Sequence, residues 1–149
     1  MGNTRPFDFI TLLATLDPVS QGVATVTTGW IDMKNFEAIL VVIQTGVLGA
    51  AATLDAKLQQ ATSAAGAGAK DVANSSITQV VKATGDNKQV MISCQDEQMD
   101  SAGGFEFIRL SVTIGTAASI FGAAVYGVGA RYQPQAHQAA MVQALQVRN

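Results

Sequence analysis

Phe105-Glu-Phe-Ile-Arg-Leu-Ser-Val-Thr-Ile-Gly115, then Thr116-Ala-Ala-Ser119, then Ile120-Phe-Gly-Ala-Ala-Val-Tyr-Gly-Val-Gly-Ala-Arg-Tyr132, is the stretch that decides the fold class. Ile108, Leu110, Val112 and Ile114 alternate with Arg109, Ser111 and Thr113. A repeat of this kind marks a strand with one buried face, because successive side chains point to opposite sides of a sheet. The small-residue turn and the second apolar run predict a hairpin.

The same style extends outward along the chain. Gly22 to Trp30 is rich in Val and Thr and reads as a strand. Ile31 to Asn35 reads as a tight turn or a single helical turn. Phe36 to Gln44 holds the continuous apolar run Ala38 to Ile43, as expected of a central strand covered on both faces. In Thr53 to Ala61, Leu54, Ala56 and Leu58 alternate with Asp55, Lys57 and Gln59, which favours strand over helix. Ile77 to Ala83 reads as a strand, with Gly85-Asp-Asn87 turning it into a hairpin partner over Lys88 to Gln95. About seven or eight short strands with Gly-rich turns make an all-β, antiparallel β-sandwich, and a jelly roll is the preferred topology. The expected core is Ile39, Val41, Ile43, Leu54, Leu58, Val90, Ile92, Ile108, Leu110, Val112 and Ile114.

The organisation is a leading segment over 1–21, a sandwich over 22–133 and a tail over 134–149. Asp17-Pro18 is expected to stop any regular element in the leading segment. The tail breaks at Pro134 and then reads as a short helix or docking arm. Phe7, Phe9, Ile10, Leu12 and Leu13 at one end, and Met141, Val142 and Leu145 at the other, carry more apolar surface than loose tails need. They are the candidate partner-binding residues. The alternative is that both ends fold back as edge elements of their own sandwich.

Composition narrows the function. Charged residues make up 13% of the 149 residues, about half the usual share. Such a surface is either covered in an assembly or built from Thr, Ser, Gln and Asn. A net charge of −2, with Lys and Arg spread singly, excludes the basic stripe of a nucleic-acid binder. Met1-Gly-Asn-Thr-Arg-Pro6 lacks the features of a signal peptide or a myristoylation motif, so the expected site of synthesis is a cytoplasm. No apolar stretch is long enough to span a membrane as a helix.

Candidates for chemistry are few. The single cysteine, Cys94, excludes an internal disulfide and a multi-thiolate zinc site. It lies in phase with Val90 and Ile92 and reads as a buried small hydrophobe. The single histidine, His137, lies in the tail, where the sequence offers nothing to fix it for catalysis. Asp96, Glu97 and Asp100 form an acidic loop without the interleaved order of a calcium loop. Gly66-Ala-Gly-Ala-Lys70 lacks the spacing of a phosphate loop. Trp30 is either a rim residue closing one end of the sandwich or a platform for a sugar ring. Asn74-Ser-Ser76 fits a glycosylation sequon, without a secretory signal beside it. No catalytic residue, metal ligand or cofactor site is assigned.

Thr28-Gly-Trp-Ile-Asp-Met-Lys-Asn-Phe36, Thr53-Leu-Asp-Ala-Lys-Leu-Gln-Gln-Ala-Thr62, Gly68-Ala-Lys-Asp71 and the run from Phe105 to Tyr132 resemble segments of small virion proteins of tailed bacteriophages. These are the capsid decoration, cement or stabilising proteins, and the resemblance covers about residues 22–133. It implies a β-sandwich on the outer surface of an icosahedral capsid, clamping neighbouring subunits of the major capsid protein. The implied partners are that protein and further copies of the chain, as a dimer or trimer, with no nucleic acid and no membrane. Alternatives are a head–tail connector or tail component, and a carbohydrate-binding module on a virion. An enzyme ranks last.

Overall fold

The computed structural model describes residues 5–132, 136–137 and 139–142. A single helical turn, α1 (Pro6–Phe9), precedes ten strands: β1 (Ile10–Gln21), β2 (Ala24–Thr27), β3 (Ile31–Asp32), β4 (Phe36–Thr45), β5 (Thr53–Ala61), β6 (Lys70–Asp71), β7 (Val80–Val81), β8 (Gln89–Gln95), β9 (Phe107–Gly115) and β10 (Ser119–Ala130). A second short helix, α2 (Lys82–Gly85), follows β7. Sheet A has the order β1-β10-β4-β8, and sheet B has β2-β9-β5-β6, with β3 on β9 and β7 on β5. Every pairing is antiparallel. The chain crosses repeatedly from one sheet to the other, and its first and last strands lie side by side. This is the jelly-roll order of two interlocked Greek keys.

The two sheets close on one core. Leu54, Leu58, Ile108, Leu110, Val112 and Ile114 from sheet B share a cluster with Ile39, Val41, Ile43, Ile92 and Val125 from sheet A. The expected core residues are buried, with the exception of Val90, which is half-buried on the outermost strand of sheet A. Ile31-Asn35 splits into β3 and a 3₁₀ turn over Met33–Asn35, capped by the Asp32 carboxylate accepting from the Lys34 N–H.

Three expectations need correction. The run from Phe105 to Tyr132 is not a hairpin: β9 belongs to sheet B and β10 to sheet A. Thr116, in the left-handed region at φ 69°, turns the corner. Local alternation identifies each strand but carries no information on which sheet receives it, and both strands end up central. Likewise β8 pairs with β4 rather than with the preceding segment. That segment keeps only Val80–Val81 as strand, because Lys82–Gly85 closes into α2.

The third correction concerns the N-terminal segment. Asp17-Pro18 does not end regular structure, since β1 runs from Ile10 to Gln21 along β10. The register shifts between Leu16 and Val19, so Asp17 and Pro18 fall in a bulge without ladder partners. Proline is tolerated there because an edge-strand bulge asks nothing of the missing N–H. Gly122 makes the accommodation possible: a Cβ on it would stand 3.0 Å from the Pro18 ring.

Replacing Leu110 by Ala is expected to cost about 2–5 kcal/mol, because the side chain is fully enclosed between the sheets. Chemical denaturation checks this, and a midpoint equal to wild type contradicts the strand phase.

Candidate interaction surface

The outer faces of the two sheets have opposite chemistry. On sheet B the outward rows are polar and mutually satisfied. Thr25 and Thr113 share a hydroxyl hydrogen bond at 2.8 Å. Lys57 reaches Asp71 at 2.7 Å, and Gln59 donates to the same carboxylate at 3.1 Å. Arg109 donates from Nε to Gln59 at 2.9 Å while its guanidinium lies 4.4 Å from the Trp30 ring centre. Gly66 closes on the edge of the same indole, where an added Cβ would come within 2.6 Å of Nε1. Trp30 is thus a half-buried rim residue with Arg109 over its ring.

Sheet A presents the reverse. Its inward positions supply Ile39, Val41 and Ile43, so the residues between them face out. The cross-strand register then lines up rows over the whole sheet. One row runs Leu12, Tyr126, Leu40, Ser93; the next runs Thr15, Ala124, Val42, Met91; a third runs Ile10, Val128, Ala38, Gln95. None of these residues carries a charge. Met91 is 66% exposed and Ile120, further along β10, is also open to solvent. Asp17, in the bulge of β1, is the one charged residue lining the groove on this face.

A groove of about 440 Å³ crosses this face. Small residues, Gly122 and Ala124, form its floor; Pro18, Val42 and Tyr126 wall it; Met141 from the C-terminal segment closes one side. The floor is low because β10 carries glycine and alanine where its neighbours carry larger side chains.

The candidate residues at the chain ends are placed differently from one another. Ile10 and Leu12 belong to the outward rows of β1. Leu13 falls in the first β-bulge, between Leu12 and Ala14, and packs against the core. Phe7 and Phe9 are exposed on α1, Met141 borders the groove and Val142 is half-buried. Leu145 lies outside the described residues. His137, for which the sequence offers no anchor, is in fact held: its Nδ1 accepts the Leu12 N–H at 3.0 Å and its ring meets Phe7 edge-on at 5.5 Å. The contact joins positions 125 apart in sequence, so no local pattern announces it. With Nδ1 accepting, a neutral ring carries its proton on Nε2, which is buried without a partner among the described residues.

Elsewhere the charged groups serve local structure. Asp100 pairs with Lys70 at 2.5 Å and caps Gly103, and the ammonium beside it holds its carboxyl below the usual carboxylate range. Asp96 pairs with Arg131. Among the described residues, no three His, Cys, Asp or Glu side chains gather closely enough to hold a metal ion.

No family model matches the sequence, and no curated protein matches it. Among solved structures the chain is similar to one described as the naturally occurring empty particles, or top component, of cowpea mosaic virus. The two share 13% identity over 89% of this chain and 84% of that one, with a TM-score of 0.37. The jelly-roll assignment rests on strand order and pairing, independently of that likeness.

Cys94 is buried on β8, and burial, followed by the Asp96 charge, pushes its thiol up to about 11 from 9.0. Because the folded value lies above the unfolded one, the stabilisation is complete below pH 9.0 and is lost as pH rises through about 11. Wild-type stability is therefore expected to fall relative to Cys94→Ala across that interval in paired pH titrations of unfolding. A constant difference between the two proteins contradicts the buried, neutral thiol.

Proposed function

We propose that this chain is a structural virion protein that seats the outer face of sheet A on the outside of a bacteriophage capsid and stabilises contacts between major capsid protein subunits. The observation that carries the reading is the uncharged apolar face formed by the rows through Tyr126, Leu40, Val42 and Ala124. Contiguous apolar surface of this kind is unfavourable in water and marks an interaction site on a soluble body. Its groove supplies a shaped seat with Met141 at its border. The polar face of sheet B is left for solvent. The resemblance of residues 22–133 to decoration proteins supports the major capsid protein as the partner.

Co-sedimentation with purified capsids lacking the protein tests the reading. Ala124→Glu places a charge on the groove floor and is expected to abolish binding while leaving the melting temperature of the isolated protein within a few degrees of wild type. Lys57→Glu on sheet B is expected to bind normally. The opposite pattern contradicts the assignment of faces. Copy number in virions separates the roles: hundreds fit a cement, a dozen or fewer fit a connector.

A further inference from the structure

Sheet A ends on β8, and this edge differs from the others. At the opposite side, β1 is broken by two bulges and by Asp17-Pro18. In sheet B the terminal strands are short, four residues in β2 and two in β6. Those are ordinary protections against unwanted strand pairing. β8, Gln89-Val-Met-Ile-Ser-Cys-Gln95, has neither charge, proline nor bulge over seven residues, each matched to β4 in unbroken register.

The open hydrogen-bonding groups of β8 have a fixed direction. The Thr45 N–H donates to the Lys88 carbonyl, so Lys88 points its backbone at β4. Alternation then turns Val90, Ile92 and Cys94 toward β4, and Gln89, Met91, Ser93 and Gln95 toward the open edge. The Gln95 N–H agrees, since it is met there by the Gln98 side chain at 2.8 Å. No other strand of the described residues lies along this edge.

We propose that the open edge of β8 pairs antiparallel with β8 of a second copy across a two-fold axis at Ile92, giving a dimer with a continuous eight-stranded sheet. Opposite residues in an antiparallel pair must lie on the same face, so a symmetric register centres on a residue. Centred on Ile92, Met91 and Ser93 exchange backbone hydrogen bonds with Ser93 and Met91 of the second copy. Val90 meets Cys94 on the core side, covering the one expected core residue that the single chain leaves half-buried. The pairing brings Lys88, just before the strand, toward the 3₁₀ turn Asp96–Gln98 of the second copy, where Asp96 is paired with Arg131. Shifting the centre to Met91 or Ser93 loses the match of Val90 with Cys94. The 72–75 loop stands beside Ser93, Cys94 and Gln98 across a notch of about 240 Å³ and bounds the core side of the edge. The dimer doubles the apolar outer face of sheet A in one plane, although its formation does not depend on what that face binds. A seven-residue ladder is a small contact, so affinity in isolation is weak and rises when both copies share one shell.

Sedimentation velocity over a micromolar-to-submillimolar series of the isolated protein is expected to show a monomer–dimer equilibrium. Ser93→Pro removes an outward N–H without touching the β4 ladder, which an edge position tolerates. It is expected to weaken the dimer by about 10- to 100-fold through two symmetry-related hydrogen bonds. Val90→Cys, oxidised in the presence of native Cys94, should give a covalent dimer, since non-hydrogen-bonded partners lie about 4.5 Å apart between Cα atoms. Val23→Cys, exposed before β2, should not. A monomer at every concentration, a dimer indifferent to Ser93→Pro, or no covalent dimer from Val90→Cys overturns the proposal.

Discussion

The inner faces of β4 and β10 close on those of β5 and β9, and the rest of the molecule depends on that contact. Val41, Val125, Leu58 and Leu110 are fully buried within one cluster drawn from both sheets. Each such side chain contributes roughly 1.5–3 kcal/mol relative to exposure. The period of two in a strand then leaves the outer faces to be specified independently. Sheet B uses this freedom for a hydrogen-bonded polar surface, in which Arg109 links Gln59 to Trp30. Sheet A uses it for a second apolar surface, around Tyr126 and Leu40.

That asymmetry contributes to the low charge content. The sandwich needs only one buried face per sheet, yet β4 and β10 are apolar on both. β10 carries small residues at Gly122 and Ala124, which lowers the floor of the outer groove between Pro18, Val42 and Tyr126. A substitution there changes the shape of the surface without opening the core. The core and the outer surface are thereby specified by different faces of the same strands.

Much of the fold is legible in the sequence because its signals are local. Alternation in Thr53 to Ala61 and in Phe105 to Gly115 identifies β5 and β9 and their buried residues. The doubly apolar run in β4 marks a central strand, but the expected cover on both faces is met on one only, since Leu40 and Val42 stay half-buried on the outer face. What the sequence does not carry is long-range. Nothing near Ser119 says that β10 leaves its neighbour β9 for the other sheet. Nothing near Gln89 says that β8 seeks β4. Pro18 reads as a breaker until its edge position and the absence of a Cβ at Gly122 are known. His137 reads as unattached until Leu12 is brought beside it. The surface itself falls between these limits: Leu12, Leu40, Val42 and Tyr126 are visible as apolar residues, but only the cross-strand register joins them into one patch.

Oxidative footprinting of the free and capsid-bound protein measures the central claim most directly. Met91, Tyr126 and Met141 lie on or beside the outer face of sheet A, whereas Trp30 lies on sheet B beside Arg109. The account predicts that binding suppresses oxidation of the first three and leaves Trp30 unchanged. Protection of Trp30, with Met91 and Tyr126 as reactive as in the free protein, would contradict it.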